Sequence, residues 1–583
     1  MLRRRPWRGL PALALCVLCL CVVPAVVTAE VQVELPDGHD EQLQRQISSH
    51  LSLGRLRCDA QADTVQRRYR RLAADAGEAL SALGYYRPAF ATDLVWEEHC
   101  WQARLIVHPG EQVRLRRVEL LVEGEASSDP AFDRLRAALP LVPGDPLHHG
   151  KYEDLKITVQ DLALERGYFQ GRFLRRQLLV DPEAGWADIE LVFDSGPRAL
   201  FGPVRPRGES PLAPEVLARF HQLKSDSPYD GESLLAANRA LSDSGYFSFV
   251  NLSPRRDEIE DLRVPLDLEL RPKNRHAWRT GLGVETDIGP RMSLGYENRF
   301  LNSAGHRLNA DLRLSGPQSE FGAVYTLPGD DPREEQYNLS LGLKHEDIDN
   351  TLSDLVKGSV RYSFRYGPWQ VTPLVDLLRE FSRVDNEDAD GSFVMPGLHL
   401  SRTEADDPKM VRRGYRFSAE VKGGDKLLLS SASLLQARTS AKGVYRFGEG
   451  GRLIGRGEAG VSLTDEFVDL PLSLRFFAGG DNSVRGYGYK RLGPRTAQGS
   501  VRGGKNLLVG SMEYEHPLNE EWWVAIFYDT GDAFDGEKIA LESGYGGGLR
   551  WHLGFVSLRL DLAIPSDPSA GSYRIHFTMG TDL

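Results

Sequence analysis

The hydrophobic pattern falls into three regimes along the chain. Residues 10–27 are almost wholly apolar and follow a basic stretch containing Arg3, Arg4, Arg5 and Arg8. Val27-Thr28-Ala29 supplies small side chains before Glu30, so residues 1–29 read as a secretory signal peptide, with an uncleaved anchor as the alternative. Residues 30–274 then carry helical periodicity broken by a recurring signature. Gly84-Tyr85-Tyr86, Gly167-Tyr168-Phe169 and Gly245-Tyr246-Phe247 are 83 and 78 residues apart. The second and third follow amphipathic stretches at 152–166 and 231–244, which places each glycine as a helix C-cap with the aromatic folding back onto its helix. Strand-like segments surround them, at 113–122, 171–180 and 187–193 in the second copy. The order is strand, helix, helix, strand, strand, and three copies fit between Glu30 and Lys273.

From residue 275 to 583 the period becomes two. Trp278, Thr280, Leu282 and Val284 alternate with Arg279, Gly281, Gly283 and Glu285. Leu558, Leu560, Leu562 and Ile564 alternate with Arg559 and Asp561, and Tyr573, Ile575, Phe577 and Met579 with Arg574 and His576. One apolar face and one charged face, in an exported chain, predict a β-barrel with a wet lumen. No segment after the signal is apolar for the ~20 residues a spanning helix needs. Eleven strands are expected before a long loop at 464–504 and five after it, starting near 276, 290, 306, 319, 335, 354, 369, 392, 415, 428, 451, 505, 521, 543, 556 and 572. Sixteen is even, as antiparallel closure requires.

Composition removes several function classes. A net charge of −11 lacks the basic footprint of a nucleic-acid binder. Cys16, Cys19 and Cys21 depart with the signal, which leaves Cys58 and Cys100. An oxidising compartment favours a disulfide between them; free thiols or a zinc site are the alternatives, and zinc lacks a nearby histidine pair. No H-E-x-x-H or G-x-S-x-G occurs. Residues 499–506 nearly match a phosphate loop, but Asn506 replaces the hydroxyl residue and a strand follows where that motif needs a helix. The acidic run at 385–390 is expected to be a solvated extracellular loop. No catalytic residue, cofactor or metal is expected.

Candidate chemistry gathers in the long loop. Residues 476–489 are rich in glycine and aromatics and contain the cation Arg485. Downstream, Trp522, Val524, Ile526 and Tyr528 make one face of a strand, with Phe527 and Asp529 on the other. A buried arginine and an inward carboxylate are each costly alone and are natural partners.

These stretches resemble the signatures of the BamA/TamA superfamily of outer-membrane assembly barrels. Its V-R-G-[FY] loop motif matches Val484, Arg485, Gly486 and Tyr487, and its F-x-D-x-G strand matches Phe527, Asp529 and Gly531. Glu513 occupies the family's second acidic position; Gly546, Gly548 and Arg550 match G-x-G-x-R, and Asp561 opens the D-h-A-x-P strand. The family's P-h-G-P turn is replaced by Gly554-Phe555-Val556-Ser557. The resemblance implies a loop folded into the lumen, with Arg485 held by Asp529 and Glu513. The upstream repeats are similar to polypeptide-transport-associated (POTRA) domains. The implied fold is α+β periplasmic POTRA repeats at 30–110, 111–196 and 197–274, followed by an all-β, 16-stranded antiparallel transmembrane barrel at 275–583, in a Gram-negative outer membrane.

Three POTRA domains look like the TamA branch, since BamA-like members usually carry five and two-partner secretion transporters two. That branch implies insertion of unfolded outer-membrane β-barrel and autotransporter clients, with an inner-membrane-anchored TamB-like partner and outer-membrane lipid, without nucleotide. A secretion pore passing unfolded partners through the lumen is the alternative. An assembly machine must open a strand edge. The expected seam lies between residues 277–287 and 573–583, where Gly281, Gly283, Gly571 and Gly580 weaken pairing while Tyr573 and Phe577 keep an apolar outer face.

Overall fold

The computed structural model describes residues 29–35, 41–97, 100–285, 289–348, 350–407, 411–448, 450–536, 539–553 and 556–580. All of the expected signal peptide except Ala29 lies outside the described residues, as do 286–288 and 581–583 of the expected seam strands and Gly554-Phe555 of the altered turn. The chain forms two compact units. One comprises the residues up to Leu200 with 228–231 and 260–263, and the other 201–227, 232–259 and 264–583.

The strand-helix-helix-strand-strand order occurs three times. The first copy is β1 (Glu30–Glu34), α1 (Glu41–His50), α2 (Ala62–Ala82), β2 (Ala89–Glu97) and β3 (Cys100–His108). The second is β4 (Arg114–Glu123), α3 (Pro130–Ala137), α4 (His149–Glu165), β5 (Arg172–Asp181) and β6 (Trp186–Asp194). The third is β7 (Leu200–Gly208), α5 (Pro214–His221), α6 (Gly231–Asp243), β8 (Phe247–Pro254) and β9 (Arg263–Pro272). In each sheet the last strand is central, with orders β1-β3-β2, β4-β6-β5 and β7-β9-β8. The pattern explains the packing. On α4, Tyr152, Leu155, Val159 and Ala163 recur at helical spacing and are buried, and they share a core with Ala187, Ile189, Leu191 and Phe193, the alternate residues of β6.

Gly84, Gly167 and Gly245 have φ of +89°, +86° and +84°, a left-handed turn that glycine adopts without a Cβ clash. The aromatics after them do more than cover their own helices. The Tyr168 hydroxyl donates to Asp129, which also accepts from Ala131 N and caps α3. Burial, then the Asp129 charge, push the Tyr168 phenol up to about 12. Tyr86 instead reaches forward, its hydroxyl 2.5 Å from His149 Nε2 at the start of α4. Cys58, in the connection from α1 to α2, is bridged to Cys100 at the head of β3, with Cα atoms 4.4 Å apart.

In the second unit the third copy is fastened to the barrel. Tyr246 is fully buried and donates to Gly305 O, Ala213 N donates to Ser303 O, and Arg219 Nη1 donates to Gly329 O. These carbonyls lie in turns between barrel strands, so the third signature aromatic serves as the joint.

The barrel strands are β10 (His276–Glu285), β11 (Gly289–Asn298), β12 (Arg307–Ser315), β13 (Gln318–Pro328), β14 (Gln336–Ile348), β15 (Thr351–Tyr366), β16 (Trp369–Val384) and β17 (Glu387–Ala405). They continue as β18 (Arg413–Gly424), β19 (Leu434–Arg446), β20 (Arg452–Leu463), β21 (Asn506–Pro517), β22 (Trp522–Phe534), β23 (Glu542–Leu553), β24 (Val556–Pro565) and β25 (Arg574–Gly580). Consecutive strands pair antiparallel throughout one 16-stranded sheet. Eleven precede the long loop and five follow it, as the alternation predicts.

Two expectations need correction. The acidic run is not a loop: β16 and β17 meet in a two-residue turn at Asp385-Asn386, and the remaining acids belong to β17. Cross-strand pairs place them there, Arg383 Nε with Asp388 at 2.5 Å and Arg379 Nη2 with Asp390 at 2.8 Å. Strand β19 begins at 434 rather than near 428, because Asp425 caps a single 3-10 turn at Lys426–Leu428 and Leu429 turns left-handed.

The disulfide closes a sequence separation of 42 residues. Removing it by Cys58→Ser with Cys100→Ser is expected to cost the first domain about 3–4 kcal/mol. Mass spectrometry of unreduced mature protein should show no alkylatable thiol; two thiols in native protein would refute the bridge.

Candidate functional site

The connection from β20 to β21 folds inward and is tied along its length. Phe476 pairs with Gly504 and Ala478 with Leu492 through backbone bridges, which make a hairpin of the loop. Its apolar residues Phe476, Ala478, Val484, Tyr487 and Leu492 pack with Leu507, Val509 and Ala533 of β21 and β22. The glycine-rich composition thus lets two chain segments approach while the aromatics fill the space between them.

Arg485 sits at the tip. The strand alternation read from sequence decides what it meets, because Trp522, Ile526 and Tyr528 are exposed on the outside of β22 and Phe527 and Asp529 are buried inside. Arg485 Nε and Nη2 donate to the two oxygens of Asp529 at 2.7 and 3.0 Å. Its backbone N–H donates to the same carboxylate at 3.1 Å. Nη1 donates to Glu513 on β21 at 2.7 Å and to Asp561 on β24 at 3.0 Å. The guanidinium lies over the Phe527 ring, 3.5 Å from its centroid. Three carboxylates from three strands therefore converge on one buried cation. A guanidinium presents five N–H donors in a fixed fork, which this geometry uses and an ammonium would not.

A second layer lies beneath it. Arg550 on β23 is fully buried and donates to Glu513 at 2.7 Å, to Glu515 at 3.1 Å and to Asp561 at 2.5 Å. Arg452 on β20 donates to Glu515 at 2.5 Å. Sequence reading finds Arg550, Glu513 and Asp561 but misses Glu515 and Arg452. The signal was present, since Glu513 and Glu515 alternate on one face of β21 and Arg452 stands opposite Glu515 in register. His576 was also missed. On β25 it accepts from Gly486 N–H at 2.9 Å and contacts Asp481 through its other ring nitrogen.

The remaining motif residues make room for the cluster or border it. Gly486 has φ +96°, and a Cβ there would sit 3.0 Å from Pro565 N. A Cβ at Gly548 would lie 2.0 Å from an oxygen of Asp561, and one at Gly546 2.8 Å from the Phe527 ring. Gly531 faces Val509 in register, outside the ion cluster. The Tyr487 hydroxyl donates to Glu542 at 2.8 Å. The expected seam residues lie elsewhere. Gly281 and Gly283 pair with Ser293 and Arg291 of β11, Phe577 and Gly580 pair with Leu560 and Ser557 of β24, and Tyr573 is exposed just before β25.

The loop also reaches strands away from its tip. Lys490 Nζ donates to Glu346 on β14 at 2.7 Å, and Ser473 N–H donates to Glu380 on β16 at 3.2 Å. Ser500 Oγ donates to Asp385 at 2.8 Å.

Residues 291–583 match the model of the Omp85 superfamily domain. The chain belongs to the Omp85 superfamily. Residues 31–109 match a POTRA domain described as TamA domain 1. The chain is 22% identical over 421 residues to outer membrane protein assembly factor BamA of Nitratidesulfovibrio vulgaris, covering 67% of this chain and 52% of that one. It is 23% identical over 478 residues to the protein of that name from Neisseria meningitidis serogroup B, covering 74% and 58%. The chain thus spans little more than half the length of these curated relatives. In fold it is similar to BamA from Haemophilus ducreyi lacking POTRA domains 1–3, with a TM-score of 0.66 at 14% identity, covering 80% of this chain and 99% of that one. This Omp85 protein is accordingly an outer-membrane barrel with N-terminal periplasmic POTRA domains.

Arg485→Ala leaves three buried carboxylates without their shared cation, a loss of about 3–5 kcal/mol. The variant barrel should unfold at lower denaturant concentration, and protease should cut the loop between β20 and β21 while the strands stay protected. Unchanged stability with a protected loop would contradict the clamp.

Proposed function

We propose that this protein is an assembly factor of the TamA branch, inserting β-barrel clients, autotransporters among them, into the outer membrane through a seam between β10 and β25. An inner-membrane-anchored TamB-like protein is its partner in this reading. The observation that carries it is the asymmetry of the sheet. Among the described residues, β10 pairs only with β11 and β25 only with β24, and β25 is seven residues long. An unpaired edge in hydrocarbon leaves N–H and C=O groups unsatisfied, and an incoming client strand satisfies them. Pairing and lipid burial then drive insertion, so no nucleotide is needed. The outward residues Leu282, Ile575 and Phe577 are exposed and keep both edge strands at membrane depth.

The TamA branch is supported by the match of the first domain and by three strand-helix-helix-strand-strand copies ahead of the barrel. A secretion pore would have to displace a loop held at its tip, at Lys490 and at Ser473, which makes the lumen the less favoured path.

The reading is tested by a disulfide between a cysteine at Gly283 and one at a facing position on β25, together with photo-crosslinkers at Leu282 and in the lumen wall. Locked protein should assemble clients several-fold more slowly, with recovery on reduction, and clients should crosslink at Leu282. Normal assembly by locked protein, with crosslinks in the lumen, would overturn the seam and favour the pore.

A further inference from the structure

The last strand is held by more than its ladder. Among the described residues β25 pairs with β24 from Arg574–Ala563 to Gly580–Ser557. His576 stands at its centre, facing inward and 1% exposed, opposite Asp561 in register. Its Nε2 lies 2.9 Å from Gly486 N, and a backbone N–H can only donate. Nε2 is therefore the acceptor, and the ring proton sits on Nδ1, directed at Asp481. One imidazole thus joins both arms of the loop, through Asp481 before the tip and Gly486 beyond Arg485.

We propose that His576 is a positioning residue that latches the last strand to the inward loop, so that β25 keeps its place only while the loop tip is seated. The geometry makes the two events one. Gly486 is pressed against the Pro565 backbone of β24 and bonded to β25, and its neighbour Arg485 is clamped to β21, β22 and β24. Lifting the tip removes the acceptor's partner on β25 together with the clamp. Swinging β25 outward breaks the Gly486 bond and the Asp481 contact, both of which tie it inward. The latch rests on the seam reading for its purpose, whereas its existence is measured separately.

The measurement is hydrogen–deuterium exchange by mass spectrometry on the full-length protein in lipid nanodiscs. His576→Leu, which keeps a bulky side chain and loses both contacts, should speed exchange of the amides at 574–580 and of Gly486 roughly three- to tenfold. Amides of β21 to β23 should exchange at the wild-type rate. His576→Gln, whose amide oxygen can reach the position of Nε2, should restore most of the protection. Asp481→Ala leaves the wall untouched and removes only the carboxylate that orients the imidazole, so it should give a smaller rise in the same peptides. The proposal is overturned if His576→Leu leaves β25 unchanged, if it loosens all strands alike, or if His576→Gln restores nothing. Should His576→Leu fail to fold, Asp481→Ala decides alone, and unchanged exchange at 574–580 refutes the latch. Client crosslinks in the lumen would remove the seam while leaving the exchange result standing.

Discussion

A guanidinium taken out of water costs several kcal/mol, and only opposite charges held within hydrogen-bond reach recover that cost. Arg485 is in this position, and its partners cannot be supplied locally. Asp529, Glu513 and Asp561 come from β22, β21 and β24, so the cluster forms only when three strands stand in register and the loop has entered the lumen. The dependence runs both ways. The carboxylates are buried, and without Arg485 Asp529 would lose its guanidinium partner while Glu513 and Asp561 would keep only Arg550. Arg550 and Arg452 complete the arrangement below, carrying the network through Glu515 to β20.

This concentration of buried charge makes one part of the barrel stiff. The ladders from β20 to β24 are reinforced by side chains that a register shift would strand, whereas β10 bears glycines and a highly exposed Leu282. Among the described residues this stiffened wall borders β25, which pairs with β24. The same loop that stiffens the wall reaches β14, β16 and the turn at Asp385, so it acts as a strut across the lumen.

Much of this was legible in the residues because two periods dominate. Period-two alternation counted sixteen strands and placed Phe527 with Asp529 on the inner face of β22, since side-chain direction follows from the pleat alone. Glycine after an amphipathic stretch marked the three helix ends. What stayed hidden depends on register and on contacts distant in sequence. Glu515 and Arg452 face each other only because β20 and β21 are joined through a loop whose length says nothing of pairing. His576 looked like one more inward polar residue until Gly486 was found against it. The acids at 387–390 read as a loop because their charge outweighed their alternation, and cross-strand arginines reverse that balance.

The central claim is that the loop is held by a specific pairing of Arg485 with the wall. A double-mutant cycle measures this directly, with stability determined in detergent for wild type, Arg485→Leu, Asp529→Asn and the double variant. The account predicts a coupling energy of at least ~2 kcal/mol, the double variant being much less damaged than the sum of the singles. A coupling near zero, with additive losses, would mean that each residue acts alone and would contradict the account.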